Sequence, residues 1–398
     1  MKHHLQPLLN PRSVTIVGAS AQTDSVGEWS LKNLLKGGYK GNIYPVNPRY
    51  KELQGMRCYK SLSDLPEVPE LVIFSVGDHR VEDLLEQAIS LGIPAAVLIS
   101  PLMLDKDKAP YLKERIKKKI LDCGMLVCGA NGMGFYNIRD NVWACGFESN
   151  MHKTPGKISL ISHSGSGMSG ILDCEERFRC NFAVSTGNEL SVTMDQYLDY
   201  VLDLPETRAV GLFIETARNP IGFIKALEKA KKKRIPIVAI KVGRTDFSAK
   251  LAVSHSGAMA GNDATYDAIF DYYGVQRVRD MDELATTLIL FAELQPVSQG
   301  SLVTMHDSGG ERQLLIDLAD EINVPLATLD KKTITSLESV LDPELPAVNP
   351  LDAWSRGGED SDHRMARCFS ILMKDPNVAI GAFVVVRGPE SKIYLSYI

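Results

Sequence analysis

The 398-residue chain sets 44 Lys and Arg against 49 Asp and Glu, a formal net charge of −5, with 44% apolar and 23% charged residues. That length allows two to four domains, each burying its own core, and the composition is that of an ordinary globular protein. The charge excludes a broad basic face for nucleic acid, but not a local polyanion site made of backbone amides and a few cations. The seven cysteines are scattered, odd in number and form no CxxC pair, which reads as reduced thiols and no metal site. The N-terminal MKHHLQPLLNPRSV has too short an apolar run for a signal peptide, and no run of about 18 apolar residues occurs. A cytoplasmic protein without membrane contact is expected.

SVTIVGAS, a helical pattern through about Lys36, GNIYPVNP, ELVIFSV, a helical pattern from about Val81 to Ser90, and AAVLIS follow one another. Short Val/Ile-rich runs separated by helical patterns predict a parallel sheet covered by helices on both faces. MLVCGANGMGFYN and a strand around Val142 close this segment and place the first domain at residues 1–148. Its ligand signal is the loop Gly18, Ala19, Ser20, which reaches Gly27 before the helix. Either Gly18 only makes a tight turn, or the helix start receives a phosphate. The GxGxxG fingerprint fails because no glycine stands two residues after Gly18, which disfavours a nicotinamide dehydrogenase.

The second domain, 149–297, opens with KISLISHSGSGMSG, again a strand, a Ser/Gly loop and a helix of small residues. An anion at that helix start gains roughly 0.3–2 kcal/mol from the dipole, plus hydrogen bonds from Ser162, Ser164 and Ser166. A serine-hydrolase elbow is disfavoured, since GxSxG is absent. FAVSTGNEL, a helix over MDQYLDYVLD and the buried strand AVGLFIETARNP follow. Glu215, at the end of that strand, either orients an imidazole or pairs at the surface with Arg218. The run Lys229 to Arg234 either caps the negative end of its helix in solvent or touches a polyanion. After IPIVAIKVG comes SHSGAMAGND, Ser254 to Asp263, which puts His255 on a strand-to-helix loop, the usual place for chemistry in α/β proteins. The bland alternative is an exposed histidine in a Ser/Gly turn.

The third domain, 298–398, starts with SLVTMHDSGGERQLLIDLAD and echoes the opening of the second. NPLDAW is read either as lining the same cleft or as a helix start capped by Asp352. Only about 100 residues remain here, short of a full doubly wound unit.

IVGAS with PVNP and GANGMG, then SHSGSGM, then STGNE and the glutamate of FIETARNP, then SHSGAMAG, together and in this order, resemble the NDP-forming acyl-CoA synthetases. Relatives of that family include the α subunit of succinyl-CoA synthetase and ADP-forming acetyl-CoA synthetase. The resemblance spans essentially the whole chain. It implies an α/β fold: a Rossmann-like CoA-binding domain followed by two flavodoxin-like doubly wound domains, the last incomplete. It implies that His255 is transiently phosphorylated, that Glu215 steadies it, and that Ser162, Ser164, Gly165 and Ser166 receive the phosphate. Gly18, Ala19, Ser20, Asn47, Pro48 and Asn131 fall at CoA-domain positions. Coenzyme A and a small carboxylic acid are the implied substrates. ATP and Mg2+ are expected on an ATP-grasp β-type subunit or a missing C-terminal domain, and the protein is expected to be an oligomer without nucleic-acid partners. The chain departs from the family at His163, where relatives carry Gln or Arg, at Ser191, where many have Asp, and at GANG in place of GPN. A non-catalytic CoA-binding or regulatory protein of the same fold is the alternative.

Overall fold

The computed structural model describes residues 3–148, 151–175, 177–245, 247–248, 262–294, 299–353 and 361–385. The chain forms two compact units, Met1–Glu293 and Leu294–Ile398.

The first unit holds one parallel and one mostly parallel sheet. A short helix α1 (Gln6–Leu9) leads into β1 (Ser13–Val17), α2 (Val26–Gly37) and β2 (Asn42–Val46). A small ladder of β3 (Glu52–Leu53) and β4 (Met56–Arg57) precedes β5 (Leu71–Phe74), α3 (Asp78–Ser90), β6 (Ala95–Leu98), α4 (Leu112–Cys123) and β7 (Leu126–Gly129). The five long strands run in the order β2-β1-β5-β6-β7, every pair parallel. Strands β1, β5 and β6 are buried along their whole length, because helices cover both faces.

The second sheet begins with a hairpin, β8 (Gly134–Asn137) and β9 (Val142–Cys145). It continues through β10 (Ile158–Ser162), α5 (Gly165–Cys174), β11 (Cys180–Ser185), α6 (Met194–Val201), β12 (Ala209–Ile214), α7 (Pro220–Lys233) and β13 (Ile237–Lys241). Further along the chain come α8 (Asp263–Tyr273), β14 (Gln276–Arg277) and α9 (Met281–Glu293). The order is β14-β13-β12-β10-β11-β8-β9, parallel except for the hairpin. The strand expected around Val142 therefore does not extend the first sheet. β8 pairs antiparallel with β11, from Phe182 opposite Asn137 to Ser185 opposite Gly134. Its Phe135 ring stacks 6.3 Å from that of Phe182. On β9, Trp143 is fully buried beneath α2, where Gly37 leaves room for it, and Asn33 of α2 donates to the carbonyls of Cys145 and Phe147. One apolar core accordingly runs through both sheets.

The second unit contains β15 (Ser301–His306), α10 (Gly309–Glu321), α11 (Lys331–Glu338), β16 (Leu351–Asp352), α12 (Ser361–Leu372) and β17 (Val378–Val384). Its strands are parallel in the order β16-β15-β17. Asp352 stands at the end of a strand: Leu351 and Asp352 pair with Met305 and His306, and Asn349 ties this segment to Leu302, Thr304 and Ala327. Among the described residues no helix is long and apolar enough to cross a membrane.

Candidate active site

In the second sheet β10 lies between β11 and β12, where the winding of the chain reverses. Connections leave such a point in opposite directions and open a crevice at the carboxyl ends of the strands. Ser162 ends β10, and its register partners are Phe213 on β12 and Ser185 on β11. Glu215 is the first residue after β12, directly following Ile214, so both signals stand at the rim of one crevice.

The turn after β10 is shaped by its own serines. The Ser164 amide donates to Ser162 Oγ (3.1 Å), which in turn donates to the Ser164 carbonyl (2.7 Å). Ser164 Oγ caps α5 by accepting from the Gly167 amide at 3.1 Å, and the Met168 amide donates to the Ser164 carbonyl. Among the described residues nothing accepts from the amides of Gly165 and Ser166. Two open donors at the positive end of a helix make an anion seat. A Cβ on Gly165 would lie 2.8 Å from Met133 Cγ, so the close approach of the two loops depends on that glycine.

A cleft of about 450 Å³ lies over this seat. Ser164, Gly165, Ser166 and Ser169 give one wall; Asn131, Gly132 and Met133, from the loop between β7 and β8, give another. Ile99 and Phe147 add an apolar side, and Gly187, Asn188, His163 and Glu215 complete the lining.

Beneath the cleft, the Glu215 amide donates to His163 Nδ1 at 3.0 Å. His163 Nε2 stands 3.0 Å from Glu189 Oε1, and Arg218 Nη1 donates to Glu189 Oε2 at 3.2 Å. The Nε2–Oε1 contact is close but off the direction of the ring N–H, so it is a dipole-to-charge contact and not an aligned hydrogen bond. Burial alone would raise the Glu189 pKa; His163 and Arg218 outweigh it and hold the carboxyl below the usual range. At the end of β13, burial pushes the Lys241 ammonium down, against the opposing pull of Asp263. Thiol chemistry is not offered by Cys128, Cys145 or Cys180, since burial pushes their pKa values up to about 12, 11 and 12.

Of the residues singled out from sequence, Asn131, Ser164, Gly165, Ser166 and Glu215 thus meet in one cleft. Ser162 does not line it: its hydroxyl is buried and used within the turn. Gly18, Ala19, Ser20, Asn47 and Pro48 gather elsewhere, at the ends of β1 and β2. Gly18 has φ of +90°, and a Cβ there would meet the Ser75 carbonyl oxygen at 2.3 Å. Asn47 Nδ2 donates to the Ala19 carbonyl at 2.8 Å, the Gln22 amide donates to Ser20 Oγ at 2.9 Å, and Pro48 is exposed. The start of α2 links the two places, because a Cβ on Gly146 would touch both Val26 Cγ1 (2.8 Å) and the cleft residue Ile99 (2.4 Å). His255 lies outside the described residues. β13 runs parallel to β12, so the chain leaves β13 at the same end of the sheet as Glu215, and Asn262, the first described residue after 248, caps α8.

Comparison with known proteins places this geometry. Residues 12–137 match a CoA binding domain and residues 155–291 a succinyl-CoA ligase-like flavodoxin domain. The α subunit of an ADP-forming acetate–CoA ligase II of Pyrococcus furiosus is 31% identical over 380 residues, covering 94% of this chain and 81% of that subunit. The chain belongs to the ADP-forming acyl-CoA synthetase family. An ADP-forming acetate–CoA ligase of Methanocaldococcus jannaschii is 32% identical over 352 residues, 88% of this chain but 49% of that protein. The chain thus spans about half the length of that relative and most of the separate α subunit. The dinucleotide-forming acetyl-coenzyme A synthetase 1 of Ca. Korarchaeum cryptofilum, solved with phosphate and ADP, superimposes with a TM-score of 0.83 at 25% identity, over 97% of this chain and 82% of that one. As a member of this family the chain has the expected architecture, a doubly wound CoA-binding domain followed by a flavodoxin-like domain.

Glu189, Asn188, Met133 and Phe147 are among the cleft and sub-cleft residues to which sequence reasoning gave no individual role. Glu189 and Asn188 stand inside the motif STGNE, and a carboxylate in a buried-strand turn was the available signal. Met133 and Phe147 carry no signal beyond hydrophobicity.

Proposed function

We propose that this chain is the α-type part of an ADP-forming acyl-CoA synthetase, making acyl-CoA from a carboxylic acid, CoA and ATP. The observation that carries the reading is the meeting in one cleft of Asn131 from the CoA-binding domain, the open amides of Gly165 and Ser166, and Glu215. A phosphoryl group from the nucleotide passes to an imidazole nitrogen of His255, with Glu215 accepting from the other ring N–H and fixing the tautomer. The seat at Gly165–Ser166 holds the phosphoryl oxygens through charge-assisted hydrogen bonds. A substrate carboxylate oxygen then attacks phosphorus, the N–P bond breaks, and an acyl phosphate forms. The CoA thiolate attacks the acyl carbonyl and phosphate leaves.

The same reading threads CoA from the Gly18–Ser20 loop to the cleft along Val26, Ile99 and Phe147. A second cleft beside Asn47, lined by Lys51, Arg57 and Lys60, suits its nucleotide phosphates. Among the described residues no group of three or more His, Cys, Asp or Glu could hold a metal, and nucleotide and Mg2+ are assigned to an ATP-grasp domain or subunit. The cellular setting on this reading is the cytoplasm.

The partial reaction run backwards needs no nucleotide. Incubation with acetyl-CoA or phenylacetyl-CoA and radiolabelled phosphate is expected to give an acid-labile, base-stable phosphoprotein. His255→Ala should abolish the label and Glu215→Gln should slow it. CoA binding by calorimetry with no phosphoenzyme, from either donor or from γ-labelled ATP with an ATP-grasp subunit, overturns the reading in favour of a non-catalytic binder.

A further inference from the structure

His163 belongs to the turn that forms the anion seat, yet its side chain points away from solvent: both it and Glu189 have no exposed side-chain surface, and Arg218 retains 15%. The residue grips β12 on both sides of Ile214. Its amide donates to the Phe213 carbonyl and its Nδ1 accepts from the Glu215 amide, each at 3.0 Å. An Nδ1 that accepts carries no proton, so the ring proton sits on Nε2, the nitrogen 3.0 Å from Glu189 Oε1. Three loops that contribute to the cleft, 162–166, 186–189 and 215–218, therefore converge on one imidazole.

Two further observations separate this cluster from an incidental core histidine. Glu189 adopts φ of +49°, a conformation unfavourable for a non-glycine residue that persists only where its surroundings hold it. A buried ionic cluster is also a poor source of stability, since well-packed apolar residues of equal volume serve as well or better. Fixing geometry is what such a cluster does well. The geometry it fixes here is the main chain of Glu215 against the helix start.

We propose that His163 is a positioning residue, which, braced from behind by Glu189 and Arg218, sets the distance between the Glu215 carboxylate and the anion seat at Gly165–Ser166. This rests on the phosphoryl-transfer reading above. A displacement of about 1 Å at such a site costs up to about a hundredfold in rate while leaving remote binding intact.

The test compares the parent with His163→Gln, His163→Leu and Glu189→Gln in the acetyl-CoA or phenylacetyl-CoA plus labelled phosphate assay, alongside CoA calorimetry and melting curves. Glutamine supplies an acceptor for the Glu215 amide and a donor for Glu189; leucine fills a similar volume with neither. His163→Leu is expected to form phosphoenzyme at least about tenfold more slowly, with CoA affinity unchanged, and His163→Gln to recover most of that loss. A parent that takes no label sinks the phosphoryl reading, and this proposal with it. A labelled parent with His163→Leu equally fast overturns the positioning role alone, as does a His163→Gln no faster than His163→Leu. Where the leucine variant does not fold, Glu189→Gln decides: folded, CoA-binding and slowed supports the brace, whereas an unslowed rate refutes it.

Discussion

Gly27→Ala sets two effects of opposite sign against each other. In the first turn of α2 alanine gains up to about 1 kcal/mol over glycine in helix propensity. Against it, the new Cβ would lie 2.0 Å from the Gly18 carbonyl oxygen and 3.2 Å from the Ser20 amide nitrogen. Both are backbone atoms and cannot rotate aside. The Gly18 loop is also held, by its own amide on the Val46 carbonyl at 2.9 Å and by Asn47 on the Ala19 carbonyl at 2.8 Å. Overpacking costs about 1–3 kcal/mol, and an approach of 2.0 Å to a fixed backbone oxygen belongs to the upper part of that range, about 2–3 kcal/mol, so the clash wins by about 1–2 kcal/mol net. Thermal denaturation should show a fall of roughly 2–8 °C for a unit of this size. Calorimetry should show CoA binding weakened by about tenfold, equivalent to ~1.4 kcal/mol. Gly38→Ala is the control: it has φ of +77° with nothing near its Cβ, so it should lose about 1 kcal/mol of stability and no CoA affinity. A Gly27→Ala protein that melts at or above the parent refutes the packing argument; one that melts lower but binds CoA normally removes the loop from the ligand's path.

Ser164→Ala removes the cap on α5 and leaves the buried Gly167 amide without its 3.1 Å acceptor; it should cost about 1 kcal/mol in chemical denaturation and weaken inhibition by phosphate. Glu189→Gln probes a carboxyl whose folded-state pKa lies below its ordinary value of 4.5. Such a group contributes stability that is complete above the unfolded pKa and lost as pH falls through the folded one. The deficit of the variant, roughly 1–3 kcal/mol by urea unfolding at pH 7, should therefore shrink below about pH 4; a deficit that grows on acidification contradicts the assignment.

The strand–loop–helix rhythm was legible because a parallel strand buried on both faces has to be written as an apolar run, as ISLIS in β10 is. Loops at strand ends were legible for the same reason, and they carry Ser164, Gly165 and Glu215. What local sequence does not encode is the choice of partner. YNIRDNVWA reads as a hairpin whichever sheet it joins; the stacking of Phe135 on Phe182 and the seating of Trp143 under α2 settle it, and both are contacts across long stretches of chain. Nor does composition say which way a serine turns. Ser162 and Ser164 look alike in SHSGSG, but the first closes the turn from inside while the second caps the helix. The His163–Glu189–Arg218 cluster has no periodic signature at all, since its members come from three separate loops brought together by sheet topology.

On the proposed reading, the pairing of β8 with β11 also decides how the CoA and phosphate sites are coupled. Gly134 is opposite Ser185, so Gly132 and Met133 on one strand and Thr186 to Asn188 on the other leave the same end of one ladder. The Asn188 amide donates to the Ala130 carbonyl at 2.7 Å and the Leu190 amide to Gly129 at 2.9 Å. The last loop of the CoA-binding domain is thus hydrogen-bonded into the sheet that carries the anion seat, and the two sites share a scaffold instead of meeting across a deformable domain interface. Gly132→Ala places a Cβ 2.5 Å from the Ser185 carbonyl oxygen and should prise the two loops apart. Because the Gly18 loop is untouched, CoA affinity should hold within about threefold while formation of acyl-CoA from acyl phosphate slows by about tenfold or more, as misplacement of reacting groups predicts. Equal losses in binding and in rate would show that the two loops act as one binding surface, and the shared-scaffold argument would fail.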